Sequence, residues 1–311
     1  LDLEELGNKK REEGIMKNDQ EGPGVITTDD VGTTTIANTT LLDSRTTMAY
    51  ASGINDVNPR YYDDLREEGL MVHPCLAFSL QWASRFRPDQ KIDPRVAAFG
   101  VHASTDLRIY RPFQAGEAIT TQGKLIQKRQ IPPGVYNVEK YRMVSSSGEL
   151  VAELYYNGIT RGATLENGDV VLEAELDPPT VSESALEPLW TKELVVGLHA
   201  GQQYTECANI YNPIHTEPSV AKAAGLPDMI LHGSATKAMA LMAVVDECLS
   251  GNADRVTRLT GQLRGMVLMD TKVKVECLAE EVVEGEVRIA FRVLNDQGEP
   301  AISNGVICAL V

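Results

Sequence analysis

The sequence predicts an α+β fold made of two repeats, each an antiparallel sheet wrapped around a buried helix. One observation is that the same order of motifs occurs twice, in residues 50–86 and again in residues 204–249. Another is that each copy is followed by runs in which apolar and polar residues alternate, as they do in half-buried antiparallel strands. The third is a stretch at 235–245 that is apolar on nearly every side, which is typical of a helix enclosed by other elements.

The chain divides into three predicted segments. Residues 1–24 are charged, lack apolar periodicity and end in Gly-Pro-Gly, so they predict a polar leader that can be disordered. The first repeat is predicted over residues 25–176 and the second over residues 177–311. A Pro- and acid-rich stretch near residues 177–180 marks the boundary between them.

The repeated motif has the same parts in both halves. Each copy runs from a Tyr to an Asn-Pro pair, as 50–59 and as 204–213, and then reaches a His: His73 before Pro74, and His232 before Gly233. The strands that close each repeat are clearest at 271–278 and 286–293, where the alternation is strict. We expect the helix at 235–245 to stop near a glycine, Gly251.

The bulk composition excludes several kinds of partner. The 311 residues include 43% hydrophobic residues, enough for a sizeable core, and carry a formal net charge of −15 that would repel nucleic acid or an anionic membrane surface. The five cysteines form no CxxC pair, which indicates neither a disulfide framework nor a zinc site. With no signal-peptide pattern and no membrane-spanning run, we expect a reducing compartment, the cytoplasm or an organelle matrix.

Residues 204–233 carry a resemblance to a known family. Asn212-Pro-Ile-His215, followed by Ile230-Leu-His-Gly233, resembles the hydratase-2 motif of MaoC-like (R)-specific enoyl-CoA hydratases and dehydratases. The segment 53–59 is similar to the degenerate repeat in members with two hot-dog units. The resemblance implies a double hot-dog fold and, as substrate, an acyl thioester of coenzyme A or acyl carrier protein. It implies no metal, no cofactor beyond coenzyme A as the substrate's carrier, and a homodimer or a hot-dog partner subunit as an option.

The resemblance also implies roles for particular residues. In the family, an Asp and a His five positions later hold one water, and the N–H of a later Gly holds the thioester carbonyl. Adding water to such a C=C bond needs a base for the water proton and fixed donors for the carbonyl oxygen, where negative charge develops. His215 takes the role of base, Asn212 orients, and Gly233 at a helix N-terminus supplies the oxyanion donor.

Neither repeat matches the family motif completely. In the second repeat the Asp position holds Ile210 and the preceding Gly position holds Asn209. In the first repeat Asp56 fits, but Tyr61 replaces the His and Pro74 has no N–H to offer. We therefore expect the working site in the second repeat and an acyl-pocket role for the first, with Asp56 either catalytic or a turn residue.

Further side chains around the motif are assigned to substrate binding. They are Tyr204, Tyr211, His232 and Ser234. His232 has an alternative structural interpretation, in which it bonds the backbone of the turn. Glu206 and Tyr211 flank the gap that Ile210 leaves and are candidates to supply a polar group there.

The predicted function is hydration of a 2-enoyl thioester or dehydration of a 3-hydroxyacyl thioester, a carbon–oxygen lyase reaction of fatty acid metabolism. Two alternatives stay open. Ile210 favours a catalytically silent acyl-thioester-binding subunit that pairs with an active partner. Asp56, as a carboxylate that activates water, favours a hot-dog thioesterase.

Overall fold

The computed structural model describes residues 22–88, 93, 96, 99–182 and 187–311. The predicted leader, residues 1–24, lies outside the described residues except for its last three. In the described part of the chain, no helix is both long enough and apolar enough to cross a membrane.

Thirteen strands are found in the described residues. Those before residue 182 are β1 (Val25–Ile26), β2 (Asn38–Leu41), β3 (Gly100–Ile109), β4 (Ala118–Ile131), β5 (Gly134–Ser145), β6 (Leu150–Arg161), β7 (Thr164–Leu165) and β8 (Val170–Val171). The rest are β9 (Trp190–Val196), β10 (Val256–Leu263), β11 (Thr271–Val283), β12 (Glu286–Leu294) and β13 (Pro300–Leu310). The strict alternation predicted for 271–278 and 286–293 falls within β11 and β12.

The main sheet has the same strand order in both repeats. Five strands of the first repeat follow the order β2-β4-β5-β6-β3, and five of the second follow β9-β11-β12-β13-β10. Strands β3 and β10 join the two halves through an antiparallel ladder in which Leu107 pairs with Leu259. The small strands β1 and β7 pair with each other, and β8 adds to β4. The fold is a double hot dog, which confirms the fold that the sequence predicts.

Five helices that are described along their full length accompany these strands. They are α1 (Ser44–Gly53), α2 (Ala77–Ala83), α3 (Ala200–Ala208), α4 (Pro218–Ala223) and α5 (Gly233–Cys248). Helix α5 contains the predicted segment, and all of residues 235–245 are buried. Leu249 caps the C-terminal end of α5, and the Gly251 N–H bonds back to the carbonyl of Val245 at 3.0 Å.

The central helix of the first repeat is much shorter than the sequence suggests. The apolar stretch runs to Phe86, but α2 ends at Ala83, after a 3₁₀ turn at Pro74–Leu76. The hydroxyl of Ser84 donates to the carbonyls of Leu80 and Gln81, both at 3.2 Å, and so competes with the continuing helix. The first repeat therefore covers its sheet with two turns of helix, where the second uses sixteen residues.

Helices α1 and α3 pack against each other and bring the two motif copies side by side. A Cβ on Gly53 would lie 2.7 Å from the Cβ of Cys207, so the missing side chain permits this approach. The hydroxyls of Tyr50 and Tyr204 are 3.1 Å apart and both rings are buried. The two motif copies thus contact each other at their first residues, Tyr50 and Tyr204, and lead away from this contact.

The connection between the repeats crosses the outer face of the sheet. Glu175 accepts hydrogen bonds from Tyr136 and Asn157 at 2.9 Å each. Farther along, Arg258 donates to the carbonyl of Asp177 and Arg288 to that of Thr180. Where one repeat ends and the next begins within this connection stays a prediction.

A fully buried lysine ties α5 to the seam between the two half-sheets. The Nζ of Lys237 donates to the carbonyl of Gly261 on β10 at 2.9 Å and hydrogen-bonds the hydroxyl of Thr105 on β3. Burial lowers the pKa of this amine to about 7. Because Gly261 pairs with Thr105 in the ladder, one side chain contacts both repeats.

Candidate active site

His215 is the last residue of the 3₁₀ turn Pro213–His215, which follows α3. The turn lies directly on the start of that helix, because a Cβ on Gly201 would be 2.2 Å from the His215 carbonyl oxygen. Gly201 therefore sets how closely the His215 backbone approaches α3. The sequence interpretation missed this residue, although a glycine in the first turn of a helix is a signal of close approach.

The hydrogen bond of His215 fixes its tautomer. Its Nδ1 is 2.7 Å from the carbonyl oxygen of Ile230, and a carbonyl only accepts, so Nδ1 carries the proton. The lone pair is then on Nε2. Burial lowers the pKa of His215 below its ordinary value of 6.5, and the bond to Ile230 opposes this only in part. His215 is consequently a neutral imidazole near pH 7 with Nε2 able to accept a proton.

His232 supports the ring of His215. The two imidazoles are stacked, with their centroids 3.7 Å apart and an interplanar angle of 30°. The Nε2 of His232 lies 3.1 Å from the carbonyl oxygen of Ile210 and 3.3 Å from the hydroxyl of Thr205. Burial lowers the pKa of His232 to about 3, and the neighbouring His215 adds to this. His232 is therefore neutral and holds the backbone of Ile210, which supports its structural interpretation.

Gly233 follows His232 and is the first residue of α5. At this position its N–H has no partner within the helix, and it shares the partial positive charge of a sixteen-residue helix. The side chain of Leu263 lies over it, because a Cβ on Gly233 would be 2.5 Å from the Leu263 Cδ1. His232, which stacks on His215, thus connects the ring of His215 to the start of α5. The cavity that Gly233 and His215 are expected to share stays a prediction.

The departures from the family motif have different structural consequences. Asn209 adopts a left-handed backbone with φ of 54°, and Asn55 does the same in the first repeat with φ of 56°. Asn tolerates this region better than most other non-glycine residues, so it can take the place of the family's Gly. Ile210, by contrast, is 5% exposed and packs in the main core. It leaves no carboxylate at the family's Asp position.

The remaining predicted site residues of the second repeat fall into two groups. Tyr204 is fully buried, with its ring centroid 5.0 Å from that of His232, and its hydroxyl interacts with Ser234. The carbonyl of Asn212 accepts from the N–H of His215 at 3.1 Å. Tyr211 lies apart: it is 54% exposed and its hydroxyl donates to Glu217 at 2.6 Å.

Neither candidate fills the gap that Ile210 leaves. Glu206 is exposed on α3, and Tyr211 is turned toward Glu217. Thr205, which the sequence interpretation missed, is the buried polar side chain next to His232. It precedes Glu206 in the chain, and the rotation of about 100° per helical residue leaves Thr205 buried and Glu206 exposed.

Asp56 is kept apart from His215. Its carboxylate accepts from the N–H of Asn58 at 2.9 Å and interacts electrostatically with Asp246, close to the C-terminal end of α5. Gly233 is at the other end of α5, so Asp246 and Gly233 are separated by about 20 Å at 1.5 Å per helical residue. Burial raises the pKa of Asp56 to about 6. Asp56 therefore does not supply the carboxylate that His215 lacks.

The first repeat has its own buried polar side chains. The Nδ1 of His73 accepts from the N–H of Cys75 at 3.1 Å, and burial lowers the pKa of His73 to about 3. Tyr61 is fully buried, and burial raises the pKa of its hydroxyl well above 10. With Pro74 at the start of the 3₁₀ turn, this arrangement has neither an effective base nor an oxyanion donor.

We expect Asp56→Asn to stabilise the protein near neutral pH. The folded-state pKa is raised from 3.8 to about 6, so the stability cost of the buried charge appears as the pH rises through this window. The amide keeps the acceptor for Asn58 and removes the charge. The free energy of unfolding at about pH 8 should rise by on the order of 1 to 2 kcal/mol, with little change at about pH 4.

Urea unfolding at the two pH values measures this difference. The matched control is Asp43→Asn, because Asp43 is an exposed cap whose pKa is lowered by its bond to Thr46. That variant should show no gain at high pH. A gain of the same size in both variants would contradict the burial explanation.

The comparisons with known proteins converge on one family. Residues 202–298 match the model of the "MaoC like domain". Residues 202–298 are a MaoC-like domain. The crystal structure of a MaoC-like dehydratase from Phytophthora capsici has the same fold, with a TM-score of 0.77, 18% identity, and coverage of 92% of this chain and 99% of that one.

Two curated relatives align with parts of the chain. The peroxisomal enoyl-CoA hydratase 2 of Arabidopsis thaliana is 25% identical over 192 residues, which are 56% of this chain and 57% of that protein. The fatty acid synthase beta subunit pkiC of Emericella nidulans is 30% identical over 100 residues, or 32% of this chain. The chain spans only 5% of the length of that subunit. The MaoC-like domain includes His215, His232 and Gly233.

Proposed function

We propose that this chain adds water to a 2-enoyl thioester, or removes it from a 3-hydroxyacyl thioester. The observation that carries the proposal is a neutral His215, with Nδ1 bonded to Ile230 and Nε2 able to accept a proton, beside the N-terminus of the buried helix α5. The MaoC-like domain and the similarity to an enoyl-CoA hydratase 2 support the same reaction class.

In the proposed reaction the thioester carbonyl accepts a hydrogen bond from the Gly233 N–H. The oxygen of a water molecule bonds to Cβ of the enoyl group while His215 Nε2 takes the water's proton, and the C=C electrons move toward the carbonyl oxygen. The imidazolium then gives a proton to Cα, which restores the neutral base. Because Ile210 occupies the family's Asp position, His215 serves as both base and acid in this scheme.

A silent binding subunit is the second candidate. Ile210 places an apolar side chain where the family has a carboxylate, and Leu263 lies over Gly233. Both features favour an apolar site that holds an acyl chain without reacting. The thioesterase alternative has less support, because Asp56 lies about 20 Å from the Gly233 end of α5 along the helix axis.

One assay separates the three functions. Purified protein is incubated with crotonyl-CoA while enoyl absorbance and free thiol are followed together. Loss of absorbance without thiol supports the hydratase, and thiol release supports the thioesterase. If neither changes while acyl-CoA binding is measurable by calorimetry, the silent subunit is supported and the proposed reaction is wrong.

The pH dependence provides a separate test of the base. His215 acts only when unprotonated, and its pKa is lowered below 6.5 by burial, so the acidic limb of kcat/KM should have its midpoint below pH 6.5. Activity should therefore persist into mildly acidic buffer. Initial rates measured across this range give the midpoint, and a midpoint above 6.5 would argue against His215 as the base.

A further inference from the structure

A row of aromatic side chains joins the motif of the first repeat to that of the second. In order along the row, its members are Tyr61, His73, Tyr50, Tyr204, His232 and His215. The centroids of neighbouring rings are 5.5, 5.3, 5.9, 5.0 and 3.7 Å apart in that order. All members before His215 are buried, with at most 2% of each residue exposed. The row therefore runs through the core to the proposed base.

The two halves of the row correspond to each other. They meet where the hydroxyls of Tyr50 and Tyr204 are 3.1 Å apart. Beyond each of these tyrosines comes the His that ends the motif of the same repeat. The row then ends at Tyr61 in the first repeat and at His215 in the second, which occupy the same motif position. The first repeat thus has the buried part of the arrangement, although it lacks the base.

We propose that Tyr50 of the first repeat is a positioning residue for His215, and that it acts through Tyr204 and His232. The inference rests on the proposed hydration, because the position of His215 Nε2 matters for the rate only if this atom takes the proton of the water. It gives the first repeat a part in the chemistry that is separate from the acyl pocket expected for it.

The ring of His215 needs support from a neighbour. Among the described residues its side chain has one hydrogen bond, from Nδ1 to the Ile230 carbonyl at 2.7 Å. That bond fixes the tautomer but leaves the ring able to tilt about it. The ring of His232, stacked at 3.7 Å, restricts this tilt. The restriction affects the rate, because a reacting group displaced by about 1 Å can cost on the order of a hundredfold.

The ring of His232 depends in turn on Tyr204. The contacts of His232 with the Ile210 carbonyl and the Thr205 hydroxyl hold only its Nε2. The ring of Tyr204 packs against the imidazole with the centroids 5.0 Å apart and so restrains its plane. Tyr204 is itself held by Tyr50, through the contact of their hydroxyls and through an edge-to-face arrangement of the rings at 70°.

The first test observes the imidazole of His215 directly and needs no turnover. The full chain is labelled with ¹⁵N in its five histidines, and long-range ¹H–¹⁵N spectra are recorded across the pH range. In the wild type, His215 should carry its proton on Nδ1 and have a pKa below 6.5. Tyr50→Phe keeps the ring and removes the hydroxyl contact. The pKa of His215 should then move toward 6.5, because a less tightly packed ring is more hydrated.

Kinetics with crotonyl-CoA provide the second test. Tyr50→Phe should lower kcat about tenfold and leave KM within about twofold, since a small tilt of the base costs part of what a full displacement costs. Tyr204→Phe should have a similar effect. The double variant should be no slower than either single variant, because the two hydroxyls act as one pair. Effects that multiply in the double variant would contradict this coupling.

Tyr141→Phe is the matched control. Tyr141 is a fully buried tyrosine of the first repeat that lies outside the row, and its hydroxyl donates to Glu139. This variant also loses a buried hydrogen bond, but it should change neither kcat nor the pKa of His215. An unchanged His215 signal in folded Tyr50→Phe, or equal effects of Tyr50→Phe and Tyr141→Phe, would overturn the proposal. An inactive wild type would count against the hydration, and the spectra alone would then decide whether Tyr50 fixes the ring of His215.

Discussion

His215→Ala is expected to lower kcat at least about a hundredfold with little change in KM, in the range usual for losing an acid–base group. His215 Nε2 is the proton acceptor in the proposed reaction. The neighbouring His232 cannot take over this role in the variant. The Nε2 of His232 carries a proton bonded to the Ile210 carbonyl, and its pKa is lowered to about 3. Steady-state kinetics with crotonyl-CoA measure the effect.

The matched control for this substitution is His199→Ala. His199 precedes α3, is exposed, and forms no side-chain cap of that helix, so its loss should leave kcat unchanged. Asp56→Asn should also stay within a few-fold of the wild type. If Asp56→Asn abolished turnover while His215→Ala preserved it, the working site would be in the first repeat and the assignment would be reversed.

The double architecture could be predicted because the motif that indicates it occurs twice in the sequence. The motif copies at 50–59 and 204–213 lead into equivalent helix ends: the Asp56 N–H bonds to the Ala51 carbonyl, and the Ile210 N–H bonds to that of Thr205. Because the two helix ends have the same local geometry, they favour the same residue types, and the residue pattern therefore occurs twice in the sequence. The strands follow from alternation, since one face of each sheet packs on a helix.

Other features depend on contacts between distant segments, which no local pattern records. Lys237 stands alone in an apolar stretch, and only the β3–β10 ladder shows that Thr105 and Gly261 meet its amine. The early end of α2 coincides with the bond of the Ser84 hydroxyl to the Leu80 carbonyl, and Pro88 follows four residues later.

The candidate site was only partly predictable for a related reason. The motif identifies His215 and Gly233, but not the hydrogen bond to Ile230 that assigns the proton of His215. It also suggests Tyr211 and Glu206 as polar substitutes, but Tyr211, in the turn after α3, bonds to Glu217, and Glu206 is on the exposed side of α3. The residue types thus predict which chemical groups are available. The packing of the turn decides which of their atoms are free to react.

Gly233→Pro tests the oxyanion donor by removing one backbone N–H. The fold is expected to accept this change, because proline is favoured in the first turn of a helix and Pro74 occupies the corresponding place in the first repeat. His232 already has φ of −57° and ψ of 135°, an extended conformation that is compatible with a following proline. We therefore expect a folded protein with kcat lowered by about two to three decades, the usual cost of one oxyanion donor.

Gly233→Ala is the control that separates this loss from crowding. Both substitutions add a Cβ that would lie 2.5 Å from the Leu263 Cδ1, and the end of that flexible side chain has to move in either case. Only the alanine variant keeps the N–H, so it should retain much more activity than the proline variant at similar thermal stability. Kinetics with crotonyl-CoA and melting temperatures for both variants make the comparison. Equal loss of activity in two equally stable variants would mean that the Gly233 N–H does not hold the thioester oxygen and that the added bulk beside Leu263 accounts for the effect.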